Sequence, residues 1–405
     1  MRVLLVSWEH PPLVIGGLGQ HVHHLGAHLA AAGHDVTVLC RQPTGTDALD
    51  HPGTDEVRDG VRVVAVAEDP LHLEFGADLV AWTLALGHTL VRAGLGLGWR
   101  PEVVHAHDWL VAHAAIALAD HFSVPLVATL HATEAGRHGG WLSAALNRQI
   151  HSVEWWLAHR ADALITCSRS MRQEVTELFH PGIPVTVLHN GIEPDEPATR
   201  ASTPGAPILL YVGRLEYEKG VQDAIAALPR VRRRHPGARL VVAGIGTQGG
   251  WLREQARNHR VLTAVRFTGH LDRAQLRQWF TQADVVVLPS HYEPFGLVAL
   301  EAACLGVPLV VSTAGGLGEA VRDGVSGLTF PPGDVTALAS AVVAVLDDPV
   351  AARARAAAAR AWAAGVEFDW TTIAADTARL YRTTVRRPRV PLGRPVIVER
   401  ALPDR

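Results

Sequence analysis

The stretch from Val285 to Gly306, VVVLPSHYEPFGLVALEAACLG, opens with an apolar run of four and continues without a breaker from Phe295 to Leu305. The first part reads as a buried parallel strand over 285–288 and the second as a helix, so the segment is one strand, one turn and one helix. Pro294 falls at the turn, where a missing N–H does no harm, and the first free backbone donors belong to Phe295, Gly296 and Leu297. A helix start of this kind can hold an anion.

Two carboxylates bracket that start, Glu293 before it and Glu301 within it. Eight helical residues span roughly 12 Å, too far for one proton or one metal ion to be shared. The pair can instead hold opposite ends of an elongated ligand, and a nucleotide sugar has that form: sugar at Glu293, phosphates at the helix N-terminus, ribose at Glu301. The plainer alternative is two solvated acids near a helix end.

Outward from this stretch the same unit recurs. Strands are expected at 2–6, 35–39, 61–66, 103–108, 125–131, 163–167 and 185–188, with a polar loop up to about Asp59. Helices are expected at 18–32, 141–158 and 168–179, and the glycine-rich loop 132–140 is expected to be mobile. Residues 193–206 lack hydrophobic periodicity and are rich in proline, which marks a linker. Alternation resumes with strands at 208–212, 239–243, 265–268, 285–288 and 308–312 and a helix at 334–347. An Ala- and Arg-rich helical stretch follows from Ala351, then a last helix from Trp370 to Thr384 and a basic, proline-rich tail. Two βα arrays about one linker predict an α/β protein of two Rossmann-like, doubly wound parallel-sheet domains facing a cleft, residues 1–192 and 207–368, with 369–405 as closing helix and tail.

Composition narrows the classes. With 405 residues, 48% hydrophobic and 19% charged, the chain is globular. A net charge of −3 supplies no field for nucleic acid or an anionic membrane. The N-terminal apolar run is too short for a signal peptide. The most membrane-like stretch, Leu79 to Trp99, is interrupted by His88, Arg92 and four glycines and reads as a core helix with its loop. The widely spaced Cys40, Cys167 and Cys304 fit buried thiols in a reducing, cytoplasmic compartment. The basic tail is read as a solvated segment.

Ligands of doubly wound sheets bind at the C-terminal strand edges. That rule selects Asp108 and Trp109 after VVHAH, His131 after PLVATL, and Arg214 with Lys219 in GRLEYEKG. Lys219 is the only lysine among 37 basic residues, and a compact ammonium beside Arg214 can clamp a diphosphate and take up charge on a leaving group. Gly16 and Gly17 stand at a helix start, where backbone can approach a phosphate. Gly244 to Gly249, GIGTQG, fits the glycine pattern of a dinucleotide site, but 261–270 offers no acid for the ribose; Gly244 and Gly246 are read as bringing N–H groups to the same diphosphate. The 23 histidines include His24 with His28 at helical spacing and His105 with His107 on a strand, and neither pair has a recognised ligand set. With no Asp-x-Asp in the chain, no metal and no cofactor are expected.

GGLG at 16–19, VHAHDW at 104–109, TLHATEAG at 129–136, HNGI at 189–192, VGRLEYEKG at 212–220 and EPFGLVALE at 293–301 stand in an order that resembles family 4 of the retaining, GT-B-fold glycosyltransferases. Within it the chain is most similar to the mycobacterial-type α-(1→4)-glucosyltransferases of glycogen and methylglucose lipopolysaccharide synthesis. The resemblance implies transfer of glucose from UDP- or ADP-glucose to an α-(1→4)-glucan or methylglucose acceptor, with mannose transfer from GDP-mannose or nucleotide-sugar epimerisation as alternatives. It implies donor phosphates at Gly16 and Gly17, the donor sugar at His131, and the reaction centre at Asp108 and Asn190. It further implies the diphosphate at Arg214 and Lys219, the sugar 3-hydroxyl at Glu293, sugar and phosphate at Phe295, Gly296 and Leu297, and the ribose at Glu301. Val14 departs from related glycogen synthases, which carry lysine there. A phosphorylase would need a lysine for its Schiff base, and Lys219 is the only one. A non-catalytic glucan binder would use Trp109, Trp141, Trp155 and Trp156 as stacking platforms.

Overall fold

The computed structural model describes all residues except 13–15, 43–52, 68–72, 74, 194–204 and 389–405. Val14, most of the expected linker and most of the basic tail lie outside the described residues. The chain forms two compact units, one of Met1–Gly191 with Trp370–Arg405, the other of Ile192–Asp369.

The first unit holds eight strands: β1 Arg2–Val6, β2 Asp35–Arg41, β3 Thr54–Arg58, β4 Val61–Val66, β5 Val103–His107, β6 Leu126–Leu130, β7 Ala163–Thr166 and β8 Val185–Val187. Their order is β3-β4-β2-β1-β5-β6-β7-β8. Every pairing is parallel except β3 with β4. β5 and β6 are buried at every position, as a strand covered on both faces must be. The order reverses between β1 and β5, so the switch point of this sheet lies where β5 delivers Asp108.

β3 corrects the expected polar loop. Its sequence, TDEVR, is exposed at four of five positions, so no apolar alternation announces it. A second correction falls in the loop read as mobile: Glu134–Arg137 is a helical turn whose first residues are buried, capped by Thr133 Oγ1 accepting from Gly136 N–H. The next helix runs Ala145–Arg160. The Trp370–Thr383 helix packs on the Gly17–Ala31 helix within this unit.

The second unit holds β9 Ile208–Val212, β10 Arg239–Ala243, β11 Val265–Gly269, β12 Val285–Leu288, β13 Leu309–Ser312 and β14 Leu328–Phe330. All are parallel, in the order β11-β10-β9-β12-β13-β14. The switch point lies between β9 and β12, whose C-terminal ends lead into the Arg214–Lys219 loop and the Glu293 turn. Among the described residues no single helix is long and apolar enough to cross a membrane. Leu79–Leu95 has 17 residues, and Val335–Asp347 and Pro349–Ala363 would reach the length only together, bent by 103°.

Candidate active-site residues

In the second unit the chain leaves β12 and turns at His291–Pro294. The helix then starts at Leu297, two residues later than expected, because Gly296 has φ 100° and cannot be helical. That conformation favours glycine, and a Cβ there would lie 2.9 Å from Leu317 Cδ2. The first intrahelical bond is Ala299 N–H to Gly296 O, so the Leu297 and Val298 donors precede it. Gly316 N–H donates to Glu293 O and braces the turn.

Lys219 ends a short 3-10 turn and is followed by Gly220, at φ 70°. A Cβ on Gly220 would fall 1.8 Å from Pro289 O. Only glycine lets the loop after β9 press this closely on the loop after β12. The contact is sealed by His291 and Tyr292 N–H groups donating to Glu218 O. A bond between His291 Nε2 and Asp223 Oδ2 at 2.6 Å seals it further and raises the His291 pKa. The result sets Lys219 Nζ 3.0 Å from Glu293 Oε2, both side chains mostly buried. Arg214 pairs with Glu218 at 3.3 Å, and its carbonyl accepts from the buried Tyr211 hydroxyl. Six acidic and basic groups thus converge on two adjacent strand ends. Glu301 lies further along the helix, half-buried, with burial pushing its carboxyl up to about 7.

Gly244 departs from the reading of the sequence, and close packing requires glycine both there and at Gly246. Gly244 N–H is spent on Gly269 O, and Cβ atoms on the two glycines would lie 1.9 Å from Gly213 O and 2.5 Å from Leu215 O. They are small because this loop packs against the loop after β9, which supports Arg214.

In the first unit Asp108 has φ 64° and ψ 175°, a region that is essentially glycine's alone. The strained turn aims its carboxylate at the end of β6, where Oδ1 accepts His131 N–H at 2.7 Å. Burial pushes this carboxyl up to about 6, against the pull of the His131 and Ala132 N–H groups. Asp108 therefore holds the His131 loop. Burial lowers the His131 imidazole to about 3, keeping it neutral.

His131 Nε2 lies 3.2 Å from His107 Nδ1, and His21 stands edge-on to His131 with ring centroids 4.8 Å apart. His21 Nδ1 donates to Asn190 Oδ1 at 2.8 Å, which joins Asn190 to the same group. Gly16 caps, and Gly17 begins, the helix that carries His21. One first-turn donor of that helix is already taken: Gly19 N–H donates to the buried Glu9 carboxylate at 3.1 Å. Glu9 and His21 were missed in the sequence. His21 was the findable one, since it falls on the apolar stripe of Leu18, Val22, Leu25 and Leu29.

His105 is a satisfied interior residue, bonded to Tyr381 Oη at 2.6 Å and Thr129 Oγ1 at 2.7 Å. His24 and His28 stack on Trp370. Of the tryptophans weighed as glucan platforms, Trp155 packs tilted against His159 and Trp156 against His113, while Trp141 is about half exposed.

Two α/β sheets, parallel but for the β3–β4 edge and each with charged or polar residues at its switch point, have the architecture of the GT-B class. The Glycosyltransferase Family 4 domain matches residues 15–196 and the Glycosyl transferases group 1 domain residues 193–362. The chain belongs to the family 4 glycosyltransferases and is an enzyme, a hexosyltransferase. It is 60% identical over 415 residues to the glycogen synthase of Mycobacterium tuberculosis, covering 100% of both chains. It is 30% identical to the D-inositol 3-phosphate glycosyltransferase of Kribbella flavida, over 94% of this chain and 95% of that one. Among solved structures it is similar to sucrose-phosphate synthase from Thermosynechococcus elongatus, with a TM-score of 0.80 and 26% identity over 94% of this chain and 98% of that one.

Proposed function

We propose that the protein transfers glucose from UDP- or ADP-glucose to the non-reducing end of an α-(1→4)-glucan or a methylglucose polysaccharide precursor, retaining configuration and needing no metal ion. The observation that carries this is the full-length 60% identity to a glycogen synthase. The paired Lys219 and Glu293 support it, because a fixed ammonium can replace a metal ion at a departing diphosphate.

In this reading Arg214, Lys219 and the N–H groups of Leu297 and Val298 take the diphosphate, Glu293 the sugar 3-hydroxyl and Glu301 the ribose. Phe295 and Gly296 shape the turn against the sugar. His131 meets the donor sugar, with Asp108 fixing its loop and Asn190 beside it; Gly16 and Gly17 line the phosphates. The C1–O bond breaks with its electron pair going to the diphosphate. The acceptor hydroxyl then bonds to C1 from the same face and passes its proton to that leaving group. Three buried cysteines, none of them in a disulfide among the described residues, support a reducing, cytoplasmic setting.

The test is nucleotide release from UDP-glucose, ADP-glucose and GDP-mannose, each with and without a short α-(1→4)-glucan. Release that depends on glucan and on one glucose donor is expected. Release from GDP-mannose alone would replace this reading by mannose transfer, and conversion of the donor without acceptor by epimerisation.

A further inference from the structure

His21, His107 and His131 come from three separate rigid elements: the Gly17–Ala31 helix, the end of β5 and the residue after β6. One ring nitrogen from each lies within 4.8 Å of the other two. His107 and His131 present theirs 3.2 Å apart. In a tetrahedral zinc site with Zn–N bonds of 2.0–2.1 Å, ligand nitrogens are separated by about 3.3 Å, so this pair already spans one edge of such a site.

The surroundings also fit an ion. Asn190 Oδ1 can only accept from His21 Nδ1, which leaves the His21 Nε2 lone pair uncommitted, and a carbonyl behind a ligating imidazole is the usual outer support of a metal site. His107 is fully buried and presents Nδ1 to His131 Nε2, so an ion here would displace the one proton that these two nitrogens share. Burial keeps all three rings in the neutral form that ligates, and half-buried His131 gives an ion access. Neighbouring His105 is not available to such an ion, since both its nitrogens bond outside the cluster, to Tyr381 and Thr129.

We propose that His21, His107 and His131 form a three-imidazole site for a zinc-type divalent ion, with the fourth position open. The ion is not part of the catalytic apparatus. By taking the His131 lone pair it competes with the donor sugar, so the site makes transfer sensitive to free zinc. This last step rests on the placement of His131 in the reading above; the site itself does not.

The experiment titrates tag-free, chelator-stripped protein with Co2+, followed by visible absorption, and then displaces it with Zn2+. One tetrahedral Co2+ per chain is expected, weakened about tenfold or more in His21→Gln and in His107→Gln and unchanged in His270→Gln. A zinc-edge anomalous peak among the three rings in zinc-soaked wild-type crystals is the companion result, independent of how the variants fold. Absence of that peak, or binding unchanged in both cluster variants, overturns the site. Turnover with and without zinc is then read on wild type, with recovery on adding chelator. Binding among the three rings without inhibition overturns the placement of His131 at the donor sugar and leaves the site standing.

Discussion

Lys219 Nζ and Glu293 Oε2 lie 3.0 Å apart, so the ammonium proposed for the diphosphate is held by the carboxylate proposed for the sugar. Each group fixes the position of the other. On the proposed placement, a bound diphosphate competes with Glu293 for the same ammonium.

The two charges therefore separate on mutation. Glu293→Gln frees Lys219, and nucleoside diphosphate is expected to bind about two- to tenfold tighter while kcat falls by about 10²-fold or more. Lys219→Ala is expected to weaken diphosphate binding and lower kcat by a similar factor. Calorimetric titration beside steady-state kinetics checks both, and near-full turnover in either folded variant would contradict the assignment.

Asp108 occupies backbone space that strains any residue but glycine. Asp108→Gly is expected to be more stable than Asp108→Ala by about 1–2 kcal/mol, the strain less glycine's greater freedom when unfolded. Both lose the acceptor for His131 N–H and with it most activity. Asp108→Asn keeps an oxygen there and is expected to stay within about tenfold of wild type. Denaturant melts and kcat/KM of the three variants check this.

Glu301 ionises near 7 rather than near 4.5. A ribose hydroxyl is best accepted by the carboxylate, so KM for the donor is expected to rise as pH falls below about 7, by about tenfold between pH 8 and 6. Stability runs the other way. The native state keeps a proton that the unfolded chain has lost, so the contribution of Glu301 is full below about 4.5 and is lost as pH rises through 7. Glu301→Gln is expected to flatten the KM profile and to raise stability at pH 8 but not at pH 4, measured by kinetics and melts across that range.

Gly220 has no room for a methyl group against Pro289 O. Gly220→Ala is expected to cost about 2–4 kcal/mol and, because Lys219 is its neighbour, to weaken diphosphate binding in the protein that still folds. A normal melt would show that the two loops are not pressed together as described.

Much of this was legible in the chain because the inner strands of both sheets are parallel and buried, and such strands announce themselves as apolar runs. β9, β10 and β12 begin and end at the residues read from sequence. β3 was hidden because an exposed antiparallel edge carries no apolar run. Gly244 was misread because a glycine required by close packing looks the same in sequence as one required by a phosphate. The histidine cluster was illegible for another reason: residues 21, 107 and 131 meet only when a helix and two strands close, and no spacing along the chain records that.

The most direct measurement is the proton NMR spectrum of the product made from UDP- or ADP-glucose and a short α-(1→4)-glucan, taken with the nucleotide released. One new α-(1→4) linkage is expected for each nucleotide diphosphate, formed with chelator present. A β-linkage, or nucleotide release without chain extension, would contradict it.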